Sequence, residues 1–211
     1  MEVVVTQLRV FCSGGLPRAN HCHSQLALAS LWGNLGKYER FHGRFLPCEE
    51  AYRRRLPLLE ELLELSPQDP NLQARLARAH DDLAWVLATR PDWNLQSAAE
   101  SLQHAQRAVT LQPEYHDWWH TLGVAHCRLG HWKDALEFIE KSRHLQKSSE
   151  PPDSFDRFFE AMAYWGLGKK EDARRCYEEG AQWMDEHLRD HADLRRFRVE
   201  AALMLGIAGK P

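Results

Sequence analysis

Positive charge is not in surplus in this 211-residue sequence: 27 lysines and arginines stand against 30 aspartates and glutamates, for a formal net charge of -3. A chain that holds nucleic acid needs a basic field for the phosphates, so that class of partner is not expected. The one tight basic run, Arg53-Arg54-Arg55, points three ways on a helix and reads as a solvated face. No stretch approaches the roughly 18 apolar residues that a bilayer span requires, so no membrane partner is expected either. Val3, Val4 and Val5 follow Glu2, where a secretory signal wants positive charge, and Thr6, Gln7 and Arg9 break the apolar run. Paired cysteines are also missing. Cys12, Cys22, Cys48, Cys127 and Cys176 are odd in number, dispersed and without a C-x-x-C. A disulfide framework or zinc ribbon is therefore not expected, and a cytoplasmic location is.

What remains is helix. Strand-like alternation is absent after residue 12, and Ala, Leu, Glu, Gln and Arg dominate. Leu56, Leu59, Leu62 and Leu63 recur at helical spacing and stop at Ser66-Pro67. Leu72, Leu76, Ala79, Leu83, Val86 and Leu87 repeat the pattern and end before Pro91. The spacing predicts nine helices, near 22–41, 46–65, 70–89, 95–110, 115–129, 132–147, 154–167, 170–187 and 190–206. Short connections make sequential helices antiparallel neighbours. Pro57 predicts a kink or a boundary in the second helix. Residues 1–21 read as an irregular lead-in, with a turn at Gly14-Gly15-Leu16-Pro17.

The helices repeat. Trp119-x-x-Leu122-Gly123 is followed by Gly130 and Ala135; Trp32-x-x-Leu35-Gly36 is followed, at identical offsets, by Gly43 and Cys48. Gly168 precedes Ala173 and Tyr177 in the same way, with Tyr164 upstream. Leu83-Ala84, with Ala108 and Pro113, gives a degenerate copy whose turn carries an insertion of about five residues relative to a 34-residue unit. Small residues at the Gly and Ala positions let two helices approach closely, and the turn glycine takes a backbone conformation that a side chain opposes. These motifs resemble the tetratricopeptide (TPR) signature, W-x2-L-G-x2-Y followed by a turn glycine. The departures are His126 for tyrosine, Arg157 for tryptophan and Glu160 for leucine.

The resemblance implies an all-α, TPR-like α-solenoid of antiparallel hairpins at 22–65, 70–111, 115–147 and 154–187, closed by a capping helix at 190–206, together one repeat domain over 22–206. In texture, Leu83 to Gly206 resembles the TPR regions attached to some bacterial serine/threonine kinases, which implies a signalling kinase upstream in the gene or as a partner. No kinase motif lies within the chain itself. The family's ligand surface is the concave side lined by first helices. Carried over, that groove comprises Lys37 and Arg40; Arg78, Asp81 and Trp85; Asp117 and His120; and Phe158, Met162 and Trp165. Its ligand would be a peptide or helix of a protein partner, anchored by Trp85 or Trp165.

Other chemistry is weaker. His116 and His120 are four apart on one helix face, the spacing of an H-E-x-x-H zinc site, but Asp117 replaces the glutamate. A metal-dependent hydrolase on that pair is the alternative to a binding module. His21-Cys22-His23 with Cys12 is a second ligand cluster of unconstrained geometry, and Gly33-x-x-Gly36 falls mid-helix with no strand before it. The expectation is a non-catalytic adaptor without metal or cofactor.

Overall fold

The computed structural model describes residues 18–146 and 154–207. Among them are nine helices and no strand: α1 Arg18–Phe41, α2 Phe45–Leu65, α3 Pro70–Thr89, α4 Leu95–Leu111, α5 His116–Arg128, α6 Trp132–Gln146, α7 Ser154–Gly166, α8 Lys170–His187 and α9 Ala192–Leu205. The described residues are all-α, built from consecutive helices joined by short turns. No helix among the described residues is long and apolar enough to cross a membrane.

Two boundaries differ from the sequence reading. Helix α1 begins at Arg18, so residues 18–21 are helical rather than irregular, and residues 1–17 lie outside the described residues. Nothing after Pro17 in the sequence interrupts a helix, which is why it starts there. Helix α2 runs through Pro57 with no boundary. Pro57 and Arg53, whose carbonyl loses its amide partner, are both exposed, so water can meet that carbonyl and the helix continues.

The chain forms two compact units that divide inside α4: one runs to Trp93 and includes Gln103–Gln112, the other comprises Asn94–Leu102 and the chain from Pro113. In the first unit α1 packs on α2 and α2 on α3. Tyr52, Leu59, Leu62, Leu76, Leu83 and Leu87 fill the space between them, and Leu28, Trp32 and Ala51 form a smaller cluster. Each such fully buried side chain stabilises the unit by about 1.5–3 kcal/mol. Asp69 starts α3 by accepting from the Asn71 amide at 2.8 Å, with Pro70 at the first helical position. In the second unit, Asn94 and Ser97 cap each other at the start of α4, amide to side chain, at 3.0 Å in both directions.

In the second unit α5 pairs with α6, α7 with α8, and α9 lies across both α7 and α8. The Phe197 ring from α9 meets Phe159 of α7 at 5.0 Å and Phe155 at 6.1 Å. Glu160, at the usual leucine position, is only 5% exposed. Arg157 donates to it at 3.0 Å, Arg143 also pairs with it, and Arg157 reaches Glu179 at 2.7 Å. An ion network thus occupies the place of the Trp and Leu in the last hairpin.

The hairpins close where a glycine meets a large side chain. A Cβ on Gly123 would stand 2.7 Å from Ile139 Cγ1 and 3.1 Å from the Ala135 carbonyl oxygen; one on Gly36 would overlap the Tyr52 ring. Between α3 and α4, buried His80 meets His104, Nδ1 to Nδ1, at 2.9 Å. One ring must donate and the other accept, so the contact cannot form with both protonated.

Two predictions follow from this packing. Gly123→Ala gains up to about 1 kcal/mol of helix propensity but forces α5 and α6 apart, and overpacking of this kind costs about 1–3 kcal/mol. The variant should melt at lower temperature in thermal circular dichroism; an unchanged or higher Tm would mean that the hairpin tolerates the added methyl. The second concerns pH. Burial first, then the neighbouring His104 and Arg107, pushes the His80 imidazole down to about 4 from 6.5. The unfolded chain therefore binds a proton that the folded chain refuses between those values. Stability should fall as pH drops from about 6.5 toward 4, at up to about 1.4 kcal/mol per pH unit from this group. Urea titrations should show a shallower acid slope for His80→Phe than for the parent chain.

Candidate functional site

Five of the expected groove residues belong to the first unit, and they gather around one buried ion pair. Arg55 of α2 is buried and donates from Nη1 to Asp82 Oδ2 of α3 at 2.7 Å. Gly33 on α1 makes the room, because a Cβ there would lie 3.2 Å from Arg55 Cζ. Burial raises the Asp82 carboxyl, while Arg55, Lys37 and Arg78 pull it back down. Lys37 of α1 and Arg78 of α3, both exposed, therefore act on the same carboxylate. Arg40 lies over the Trp85 indole, 5.5 Å from its centroid. Asp81, half-buried, sits between Arg78 and Trp85 on α3. Glu39 is engaged by Arg44. Three cations, Arg55, Lys37 and Arg78, thus act on the one Asp82 carboxylate.

Trp85 itself requires a correction. It was expected to anchor a ligand in the groove, yet it is only 9% exposed. Arg40 lies over its ring, which leaves little of it open to a ligand.

The second unit holds the remaining five. Asp117 is exposed, with Oδ1 3.2 Å from His116 Nδ1. His120 is half-buried, with Nε2 3.3 Å from Asp156 Oδ1. The His116/His120 pair thus faces two separate carboxylates. Phe158 and Met162 are 0% and 3% exposed and line no open surface, contrary to expectation. Helix α8 covers that side of α7: Tyr177 meets the Phe158 ring at 5.9 Å, and a Cβ on Gly180 would come within 3.3 Å of it. Trp165, at the end of α7, stays half-buried with the Lys170 ammonium 5.3 Å from its ring centre.

His21 and Cys22 lie on α1, not in a loop, and successive residues on a helix point in different directions; Cys12 lies outside the described residues.

Two features escaped the sequence reading. A cavity of about 650 Å³ lies along α8 and α9, lined among others by Tyr177, Met184, Arg198, Val199 and Leu203. Val199 and Leu203, four apart and both exposed, were the legible sign, but α9 was read only as a cap. The other is His126, His131 and Asp134, whose ligating atoms all lie within 4.8 Å of one another. His126 is 9% exposed, and its Nδ1 is closed from solvent and makes no hydrogen bond. Burial lowers its pKa, the Asp134 carboxylate opposes that shift, and His131 adds to it. Its sign in the sequence was two histidines flanking a turn glycine, Gly130, with an aspartate a turn further on.

No model of a protein family matches the sequence, and no curated protein does. Among solved structures the chain is similar to MamA (17% identity, 78% of this chain and 96% of that chain, TM-score 0.41). It is likewise similar to a thermophilic TPR protein of Thermus thermophilus (18% identity, 83% and 99% covered, TM-score 0.44). A third is Acl4, an assembly chaperone of RpL4 (18% identity, 92% and 72% covered, TM-score 0.42).

The Arg55–Asp82 pair gives a direct test of how the first unit is organised. Asp82→Asn keeps the shape and strands a buried guanidinium, which should cost about 3–5 kcal/mol of stability in urea denaturation. A loss below about 1 kcal/mol would mean that the pair is screened like a surface salt bridge.

Proposed function

We propose that the chain is a non-catalytic protein-interaction module, and that the α1–α3 face of its first unit takes an acidic segment of a partner protein. One observation carries the reading: Lys37 and Arg78, exposed and from two helices, both act on the carboxylate of the buried Arg55–Asp82 pair. The pair and Gly33 fix the floor of the face, so its cations are held in place before a partner arrives, and less ordering is required on binding. A carboxylate of the partner would meet Lys37 and Arg78 at the exposed rim, and Asp81 would set its register by repelling a misplaced acid. Within the second unit, Asp117, His120 and Trp165 are by themselves a further candidate contact surface, while Phe158 and Met162 serve the core. The partner is a protein or peptide, and no cofactor takes part.

The charge-reversed double variant Lys37→Glu/Arg78→Glu alters two exposed side chains and should keep its helical content by circular dichroism. Affinity capture from the native cell should recover a defined set of proteins with the parent chain. The double variant, or raised salt, should release them. Equal capture by both chains would sink the proposal.

A further inference from the structure

The turn between α5 and α6 carries chemistry that a binding module does not need. Helix α5 ends in a Schellman arrangement: the Gly130 amide donates to the Cys127 carbonyl at 3.1 Å, and the His131 amide to the His126 carbonyl at 3.0 Å, with Gly130 at φ +74°. That second bond draws residues 126 and 131 together. The same turn closes α9, where Ile207 donates its amide to the Ala202 carbonyl at 2.9 Å around Gly206, and it recurs in two hairpins. Arg44 donates its amide to the Glu39 carbonyl at 2.9 Å around Gly43, and Lys169 does so to Tyr164 at 2.9 Å around Gly168. In both, the two side chains so joined attract each other: Glu39 pairs with Arg44, and the Lys169 ammonium lies 5.7 Å from the Tyr164 ring centre.

At the α5–α6 turn the paired side chains are instead two imidazoles, with ring centres 5.3 Å apart. They gain nothing comparable from each other, and when protonated they repel. A carboxylate joins them: Asp134 Oδ2 stands 3.5 Å from His126 Nδ1. Two ligands held about 2.0–2.1 Å from a tetrahedral ion are about 3.3–3.4 Å apart, so this edge already has the span of a metal site. His131 is exposed and needs only a side-chain rotation to complete the triangle from within 4.8 Å. The buried His126 nitrogen, without a hydrogen bond, points to the same place. Phe138 packs on the His126 ring at 5.0 Å and fixes its orientation.

We propose that His126, His131 and Asp134 form a binding site for a divalent transition-metal cation of the Zn²⁺ class, with a remaining position left to water. Two imidazoles and one carboxylate suit Zn²⁺, Co²⁺ or Ni²⁺ rather than Mg²⁺ or Ca²⁺, which prefer oxygen alone. The ion would tie the end of α5 to the first turn of α6. It departs from the sequence expectation of no metal, lies apart from His116 and His120, and does not depend on the face proposed for the partner.

The test uses the full chain, stripped with a chelator and titrated with Co²⁺ and then Zn²⁺. His131 and Asp134 are both exposed, so His131→Ala and Asp134→Asn leave the fold intact and replace the riskier change at buried His126. The control is His144→Ala, an exposed histidine of α6 that faces Glu140 at 3.6 Å. The parent chain and the control should bind one equivalent of Co²⁺ with intense visible absorption, lose it to Zn²⁺, and melt at higher temperature with Zn²⁺. Loss of a true ligand should weaken Zn²⁺ binding by more than the roughly 10–100-fold that loss of an outer partner costs. Parent-like titrations for His131→Ala would place any bound metal elsewhere and overturn the proposal. So would an equal loss in His144→Ala, or no stoichiometric binding by the parent chain.

Discussion

The structure depends on how closely two antiparallel helices can approach. At Gly36 and Gly123 there is no room for a methyl group, and the opposing Tyr52 and Ile139 side chains fill the space that a Cβ would take. That contact sets the spacing of α1 on α2 and of α5 on α6, and everything attached to those helices inherits it. Arg55 can lie against Gly33 only because the two helices are already that near. Packing at this density has little slack, so one methylene is felt across a hairpin.

This dependence explains what was legible in the sequence. A residue that must be glycine, with a large side chain at a fixed offset and a turn glycine between, leaves a pattern that survives divergence elsewhere. Helix positions could therefore be read to within a few residues at most ends. The last hairpin shows the limit. Its Arg157 and Glu160 break the apolar pattern, yet they occupy the same volume as an ion network with Arg143 and Glu179. Such a network is harder to read because its partners come from three helices, and no single helix carries its signature.

The candidate groove was less legible, for a related reason. Spacings of three and four say that Phe158, Met162 and Trp165 share a face of α7, but not which neighbour covers it. The cover comes from α8, through Tyr177 and Gly180, and α9 adds Phe197 against Phe155 and Phe159. In the first unit Lys37 and Arg78 reach solvent, as long charged side chains do wherever the backbone lies. Trp85, a large ring, is covered instead.

The repeated turn separates scaffold from chemistry. Around Gly43, Gly130 and Gly168 the backbone hydrogen bonds are the same, and they bring the residue four before each glycine against the residue one after it. The fold supplies that juxtaposition regardless of sequence. What fills it is free to vary: a carboxylate with a guanidinium, two imidazoles, or a phenol with an ammonium. The first and third fillings neutralise or attract within the pair and so serve stability alone. The second has no such attraction of its own, and Asp134, with Oδ2 3.5 Å from His126 Nδ1, brings a third group beside the two imidazoles. Chemistry beyond packing is therefore to be sought in a repeat protein where the local pair does not close on itself, since there the scaffold has brought donors together without consuming them.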